Sequence, residues 1–166
     1  MLVVKDAMVL IHLAKISLLG ESCKYFKDVI APKLVFDEVM EGVKLGHADA
    51  KVVEKLKREG KIRILGINDF ALVKRATEFN IQGGEAQAVA LYWQEKADIL
   101  VTDDDNVRKK GILLDIKVIG TLAIVLKLKL AKIIKEEKFR ACVSELRRIG
   151  WFGDAILDRV LMEGSK

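Results

Sequence analysis

Two periods of apolar spacing alternate along this chain: runs of three or four consecutive apolar residues, and longer stretches with an apolar residue every third or fourth position. Leu2-Val3-Val4 reads as a first strand ending at Asp6. From Ala7 to Leu19, the residues Leu10, Leu13, Ala14 and Leu18 recur at helical spacing, and Gly20 stops the pattern. Val29-Ile30-Ala31 is a short second strand closed by Pro32. A helix then opens at Lys33 with Val35, Phe36, Val39, Met40 and Val43 on one face, and Gly42 and Gly46 end it. Residues 47–58 form another helix on Ala48, Val52, Val53 and Leu56, and a third strand covers 62–65 after Gly60.

Beyond it, Asp69 caps a helix to about Glu78, and Gly83-Gly84 opens one beginning at Glu85. A strand over 98–101, a short helix over 105–110 and a last strand over 116–119 follow. Gly120-Thr121 starts a nearly all-apolar helix to Ile134, and two amphipathic helices finish the chain. Strands separated by helices require right-handed crossovers, so the expected fold is α/β, a three-layer α/β/α sandwich around a mostly parallel sheet. No repeat or linker divides the sequence, which reads as one domain over 1–166 with 135–166 as a C-terminal helical extension.

Composition narrows the class. Apolar residues make up 51% and charged ones 32%, with a single proline, as expected of a folded globular chain. The most apolar region is free of charge only from Val118 to Leu126, too short for a membrane span. The start carries charges inside its apolar run and lacks a small-residue cleavage site, so a cytoplasmic location is expected. Cys23 and Cys142 have neither metal-type nor redox spacing and read as core thiols. The net charge of +5 is compatible with a nucleic-acid partner, but the basic residues are dispersed and aromatics are few.

The candidate chemistry centres on VTDDDNVRKKG, residues 101–111. Asp103, Asp104 and Asp105 follow an apolar strand and precede a helix, at the carboxyl end of a strand where open α/β sheets place ligands. Crowded carboxylates raise one another's pKa unless a cation compensates, and carboxylate oxygens suit magnesium or manganese. An acidic turn that only caps a helix accounts for the same residues. The strand order brings Asp6 near the triplet, although Asp6 alone reads as a helix cap. Glu85 opens a helix whose positive end favours a carboxylate. Glu38 and Asp37 flank the apolar face of their helix on opposite sides, while Glu41 points to solvent. Arg108, Lys109 and Lys110 either hold phosphates or pair with Asp104 and Asp105 at i,i+4 spacing. Lys15 is a further candidate substrate contact. His12 and His47 lack partners at ligand spacing and read as ordinary helical residues.

Read in order, VVKDAMVLIHLAKI (3–16), APKLVFDEVMEG (31–42), QGGEAQAVALYWQEKADILVTDD (82–104) and VIGTLAIVLKLKL (118–130) resemble the PIN-domain family, in its VapC-like prokaryotic branch. The resemblance implies a metal-dependent ribonuclease in which Asp6, Glu38, Glu85 and Asp104 face one cleft and hold Mg2+ or Mn2+. Under the same resemblance Asp103 is a secondary candidate ligand and Asp105 a weaker candidate. It further implies hydrolysis of RNA to a 5′-phosphate and a 3′-hydroxyl, a homodimer, and a toxin role opposite a small antitoxin protein. Met8 stands where the family often has a small polar residue, and Glu85 where better-known members have aspartate. A second reading follows from Met8: a catalytically silent PIN-like module that binds nucleic acid or protein.

Overall fold

A computed structural model describes residues 1–166. The elements run β1 (Leu2–Lys5), α1 (Ala7–Lys15), α2 (Leu19–Phe26), β2 (Asp28–Pro32), α3 (Lys33–Lys44), α4 (Ala48–Arg58), β3 (Arg63–Leu65), α5 (Phe70–Thr77), α6 (Gly83–Glu95), β4 (Ile99–Val101), α7 (Asp105–Lys109), β5 (Val118–Ile119), α8 (Thr121–Leu130), α9 (Glu136–Ile149) and α10 (Asp154–Gly164). The five strands form one parallel sheet in the order β3-β2-β1-β4-β5. Successive strand residues point to opposite faces. Val3, Val29, Ala31, Ile99 and Val101 join a core with α1, α8 and α9, while Val4, Ile30 and Leu100 join another with α6. The architecture is the expected α/β sandwich.

The strand order reverses direction beside β1. The chain moves outward through β2 and β3, then returns to β4 on the other flank. Loops leaving β1 and β4 therefore part, and a crevice opens at the carboxyl ends of these strands. The paired register of Lys5 with Val101 brings Asp6 and Thr102 side by side at that edge. The C-terminal helices lie on the larger core, contributing Phe139, Cys142, Val143, Leu146, Leu157 and Val160.

Several boundaries differ from the periodicity. The first helix stops at Lys15 rather than Leu19, because Ser17 adopts a left-handed conformation (φ 57°) and Leu18 N–H closes back on Leu13 C=O at 2.9 Å. A separate helix, α2, then includes Gly20 instead of ending before it. Likewise α8 ends at Leu130, where Lys132 (φ 59°) turns the chain and Ile133 N–H bonds Leu128 C=O at 2.9 Å. The third and last strands are shorter than expected, beginning at Arg63 and Val118.

One buried charge has no mark in the periodicity. Lys5 is fully buried on β1, and its Nζ donates to Ser22 Oγ at 2.5 Å and lies 5.4 Å from the Phe26 ring centroid. Burial lowers its pKa to about 8.

Candidate active site

Asp6 follows β1 and caps α1. Its backbone N–H bonds Val101 C=O at 3.2 Å, fastening the turn to β4. Oδ1 accepts from Val9 N–H at 2.9 Å, and Oδ2 accepts from the Thr102 hydroxyl. The side chain is buried. Burial pushes its pKa up to about 7, against the Thr102 and Val9 hydrogen bonds; the nearby Asp103 and Glu85 raise it further. Asp6 is a helix cap, as its sequence position indicates, and also one member of an acidic group.

The next strand supplies the second acid. Asp104 caps α7, accepting from Val107 N–H at 2.8 Å, and its own N–H donates to Thr102 Oγ1 at 3.1 Å. The Thr102 hydroxyl thus ties Asp6 to Asp104. Glu85 sits in the first turn of α6 and is half-buried. Gly83 precedes it with φ 60°, a left-handed turn that glycine makes without strain. Glu38 comes from α3 and is exposed, with its carboxylate against the start of α6. A Cβ on Gly84 would stand 3.0 and 3.1 Å from its two oxygens, so the bare glycine makes room for Glu38. Burial, then the proximity of Glu85, raises the Glu38 pKa.

Glu85 links the acids: it shares one concavity with Asp104 and another with Glu38, while the buried Asp6 lines neither and feels the Glu85 charge from behind. Glu85 and Asp104 line a polar notch of about 210 Å³ with Asn80, Gln82 and Asn106. Glu85 and Glu38 line a groove of about 470 Å³ with Met8, Ile11, Lys15 and His47. That groove continues into a larger concavity, about 730 Å³, through Lys15, His47 and Asp49. Asp105 is exposed in the first turn of α7. Asp37 and Glu41 are exposed and pair with Lys33 and Lys44.

Asp103 differs from its neighbours. Its Oδ1 accepts from Thr121 N–H at 2.7 Å; its Oδ2 accepts from Thr121 Oγ1 at 2.5 Å and meets His12 Nδ1 at 2.7 Å. Both side chains are buried. This corrects the reading of His12 as an ordinary helical residue without a carboxylate partner. The partner lies 91 residues away, on a loop that only the β1–β4 pairing brings close. A signal did exist: His12 stands on the buried stripe of α1 beside Val9 and Leu13, and buried polar groups find partners.

The i,i+4 pairs that the sequence spacing suggests after the aspartate triplet are not made. No ion pair within 4.0 Å joins Asp104 to Arg108 or Asp105 to Lys109. Arg108 is exposed, with its guanidinium near Gly120, and Lys110 Nζ donates to Phe79 C=O. Lys15 lies 3.9 Å from Asp49 and lines the groove that holds Glu38.

Asp6, Glu38, Glu85 and Asp104 make no ion pair within 4.0 Å at all. Their compensation comes from helix starts and one hydroxyl: Asp6 and Asp104 cap α1 and α7, Glu85 lies in the first turn of α6, and Thr102 donates to Asp6. Hard oxygen donors with surplus negative charge fit Mg2+ or Mn2+ in type. As the side chains stand, no three His, Cys, Asp or Glu residues are close enough to cage an ion. Magnesium-type binding, through one or two carboxylates with water at the other positions, suits such an open set.

No helix is long and apolar enough to cross a membrane. No curated protein matches this chain, and no solved structure does. Residues 2–165 match the PIN domain. With nearly the whole chain matched, and with an all-parallel five-stranded sheet flanked by helices, this protein belongs to the PIN-domain family, whose fold is of the nuclease type.

Proposed function

We propose that this chain is a divalent-metal-dependent endoribonuclease of the VapC-like branch, hydrolysing RNA phosphodiester bonds with Mg2+ or Mn2+. The observation that carries the reading is a chain of four acids without a basic partner: Glu38 and Glu85 line one concavity, Glu85 and Asp104 the next, and Thr102 ties the buried Asp6 to Asp104. Leaving several carboxylates uncompensated is costly unless a cation is part of the working state.

Asp6 and Asp104 would be the principal ligands, since Thr102 fixes both against the ends of β1 and β4. Glu85 and Glu38 would complete the shell from α6 and α3, directly or through water. When bound, the ion supplies charge neutralisation at the scissile phosphate and a more acidic water. The chain does the remaining work. Helix starts fix Asp6 and Asp104, the Thr102 hydroxyl holds their spacing, and Lys15, on the groove beside Glu38, and the exposed Arg108 would hold phosphates flanking the cut. Asp103 serves the acidic loop from behind.

The biological role we propose is the toxin of a toxin–antitoxin pair, a cytoplasmic homodimer held silent by a small protein that places a basic side chain among the acids. The decisive experiment offers labelled single-stranded and structured RNAs to the purified protein. Cleavage with manganese or magnesium, arrest by chelator, and loss in Asp104→Asn with the circular dichroism unchanged are the expected results. A wild-type protein that binds these RNAs but leaves them intact in either metal would replace this reading with a silent binding module.

A further inference from the structure

We propose that His12 is a positioning residue of the acidic centre, acting through Asp103, which anchors the loop carrying Asp104 instead of ligating an ion. This rests on the reading of the crevice as a metal-dependent nuclease centre and adds to it a residue that touches neither ion nor RNA.

Three observations support the assignment independently of any bound group. First, Asp103 is saturated. Thr121 gives it a backbone N–H and a hydroxyl, and His12 Nδ1 approaches at 2.7 Å. A carboxylate only accepts, so Nδ1 is the donor. Three donors converging on one buried carboxylate fix its plane. They also fix the backbone that leads two ways, back to Thr102, which bridges Asp6, and forward to Asp104.

Second, the three partners come from different elements. His12 belongs to α1, whose cap is Asp6; Asp103 follows β4; Thr121 opens α8. The network therefore sets the distance between the cap of α1 and the cap of α7. Third, the imidazole packs among aromatic rings. The ring centroids of Phe152 and Trp151 lie 5.3 and 6.1 Å from it, tilted by 59° and 51°. The turn between α9 and α10 thus packs against the histidine, which is itself buried.

Groups that orient ligands from behind tune metal affinity without touching the ion. The test compares wild type with His12→Ala, His12→Leu and His12→Asn. Asparagine can offer an amide N–H near the position of Nδ1; leucine fills the space without a donor. Manganese affinity, measured by calorimetry, is expected to weaken about tenfold in the Ala and Leu variants and to stay within about threefold of wild type in Asn. With a labelled single-stranded RNA, kcat is expected to fall with the affinity while KM is kept. In metal-free protein, amide exchange at Thr121 and Val107, whose N–H groups bond Asp103 and Asp104, should quicken in Leu and recover in Asn. If His12→Ala does not fold, His12→Leu carries the comparison.

Unchanged manganese affinity and exchange in His12→Leu would overturn the proposal. So would an Asn variant as impaired as Leu, since ring packing and not the Nδ1 bond would then be responsible. A wild-type protein that binds no manganese would instead remove the nuclease reading, and the metal-free exchange would decide the loop-holding role alone.

Discussion

Asp103 and Asp104 are neighbours in the chain with opposite surroundings. Asp103 is buried, and Thr121 and His12 occupy its oxygens at 2.5 to 2.7 Å. Asp104 stands with Glu38 and Glu85 at the crevice, partly or fully exposed and without a basic partner within 4.0 Å. Asp6 lies between the two conditions. It is as buried as Asp103, yet it has two hydrogen bonds, acidic neighbours and no counter-charge. Where the protein supplies fixed donors, a carboxylate ties elements together. Where it withholds them, the charge is left for something from solution.

The largest expected effect comes from neutralising the intermediate case. Asp6→Asn should lower kcat by about 10³-fold, about 4 kcal/mol of barrier, while leaving the fold intact. Its amide can keep both hydrogen bonds, since the Thr102 hydroxyl accepts as well as donates. The same change should stabilise the metal-free protein. The Asp6 carboxyl titrates near its ordinary value when unfolded and at about 7 when folded. Between those values the folded chain holds a proton that the unfolded chain has lost, so stability falls as pH rises and the loss is complete above about pH 7. For a carboxyl this buried the difference is on the order of 3–4 kcal/mol. Urea unfolding of metal-free wild type at pH 5 and pH 8 should show that slope, with Asp6→Asn lacking it. Manganese should restore stability to wild type alone. Equal slopes in both proteins would place the unfavourable charge elsewhere.

The fully bonded side of the comparison is broken from Gly120. Its backbone is ordinary (φ −111°), so only space matters, and an added Cβ would lie 2.7 Å from Asp103 Oδ1 and 3.4 Å from Thr102 C=O. Three donors hold Asp103 in place, so the contact cannot be relieved by a simple swing. Gly120→Ala should cost about 2–3 kcal/mol of unfolding free energy, read from denaturant melts. A fully stable variant would show that the Asp103 network yields readily.

Most of this organisation was legible in the residues. Apolar runs at 2–4, 29–31 and 99–101 mark strands because the parallel sheet is covered on both faces, and the β1–β4 adjacency followed from the crossovers. Asp6, Asp69 and Asp104 were recognisable as caps. What was not legible depends on tertiary contact or on backbone conformations that carry no residue mark. Ser17 and Lys132 turn left-handed without being glycine, so the periodicity ran on past the true helix ends. Residues 19–26 became a helix around a glycine that looks like a stop signal. His12 could be suspected from its position on an apolar stripe, but its partner could not. Glu38 stayed ambiguous because the flank of a helix does not say what faces it.

Lys5 sharpens the comparison from the interior. It is a buried charge like Asp6, one residue earlier, but it has no path to an ion from solution. Burial holds its pKa at about 8 when folded, well below the unfolded value. Between the two the unfolded chain holds a proton that the folded chain lacks, so stability rises with pH through that window, and the full cost is present below about pH 8. Lys5→Met should raise stability at pH 7 by about 1–2 kcal/mol, because the gain from removing the buried charge is partly offset by the lost partner of Ser22. Catalysis should be unaffected. Thermal melts at pH 7 and pH 9.5 check the sign: the advantage of the variant should shrink at the higher pH.

The smallest effect tests the open side. Gly84 is in the first turn of α6, and an alanine Cβ there would meet the Glu38 oxygens at 3.0 and 3.1 Å and Val35 Cγ2 at 3.3 Å. The contrast with Gly120 lies in what must move. Glu38 is exposed and makes no hydrogen bond or ion pair that would hold its carboxylate, so it can swing aside at little cost, and alanine is the better helix former. The buried Val35 must also give by a few tenths of an ångström, so Gly84→Ala should change unfolding by less than about 1 kcal/mol, yet weaken manganese binding by about three- to tenfold, about 1 kcal/mol, by displacing one acid from the crevice. Calorimetry with manganese, beside a melt of the same sample, separates the two quantities. Affinity equal to wild type in the stable variant would mean that Glu38 contributes nothing to holding the ion, leaving the α3 side of the groove to RNA alone.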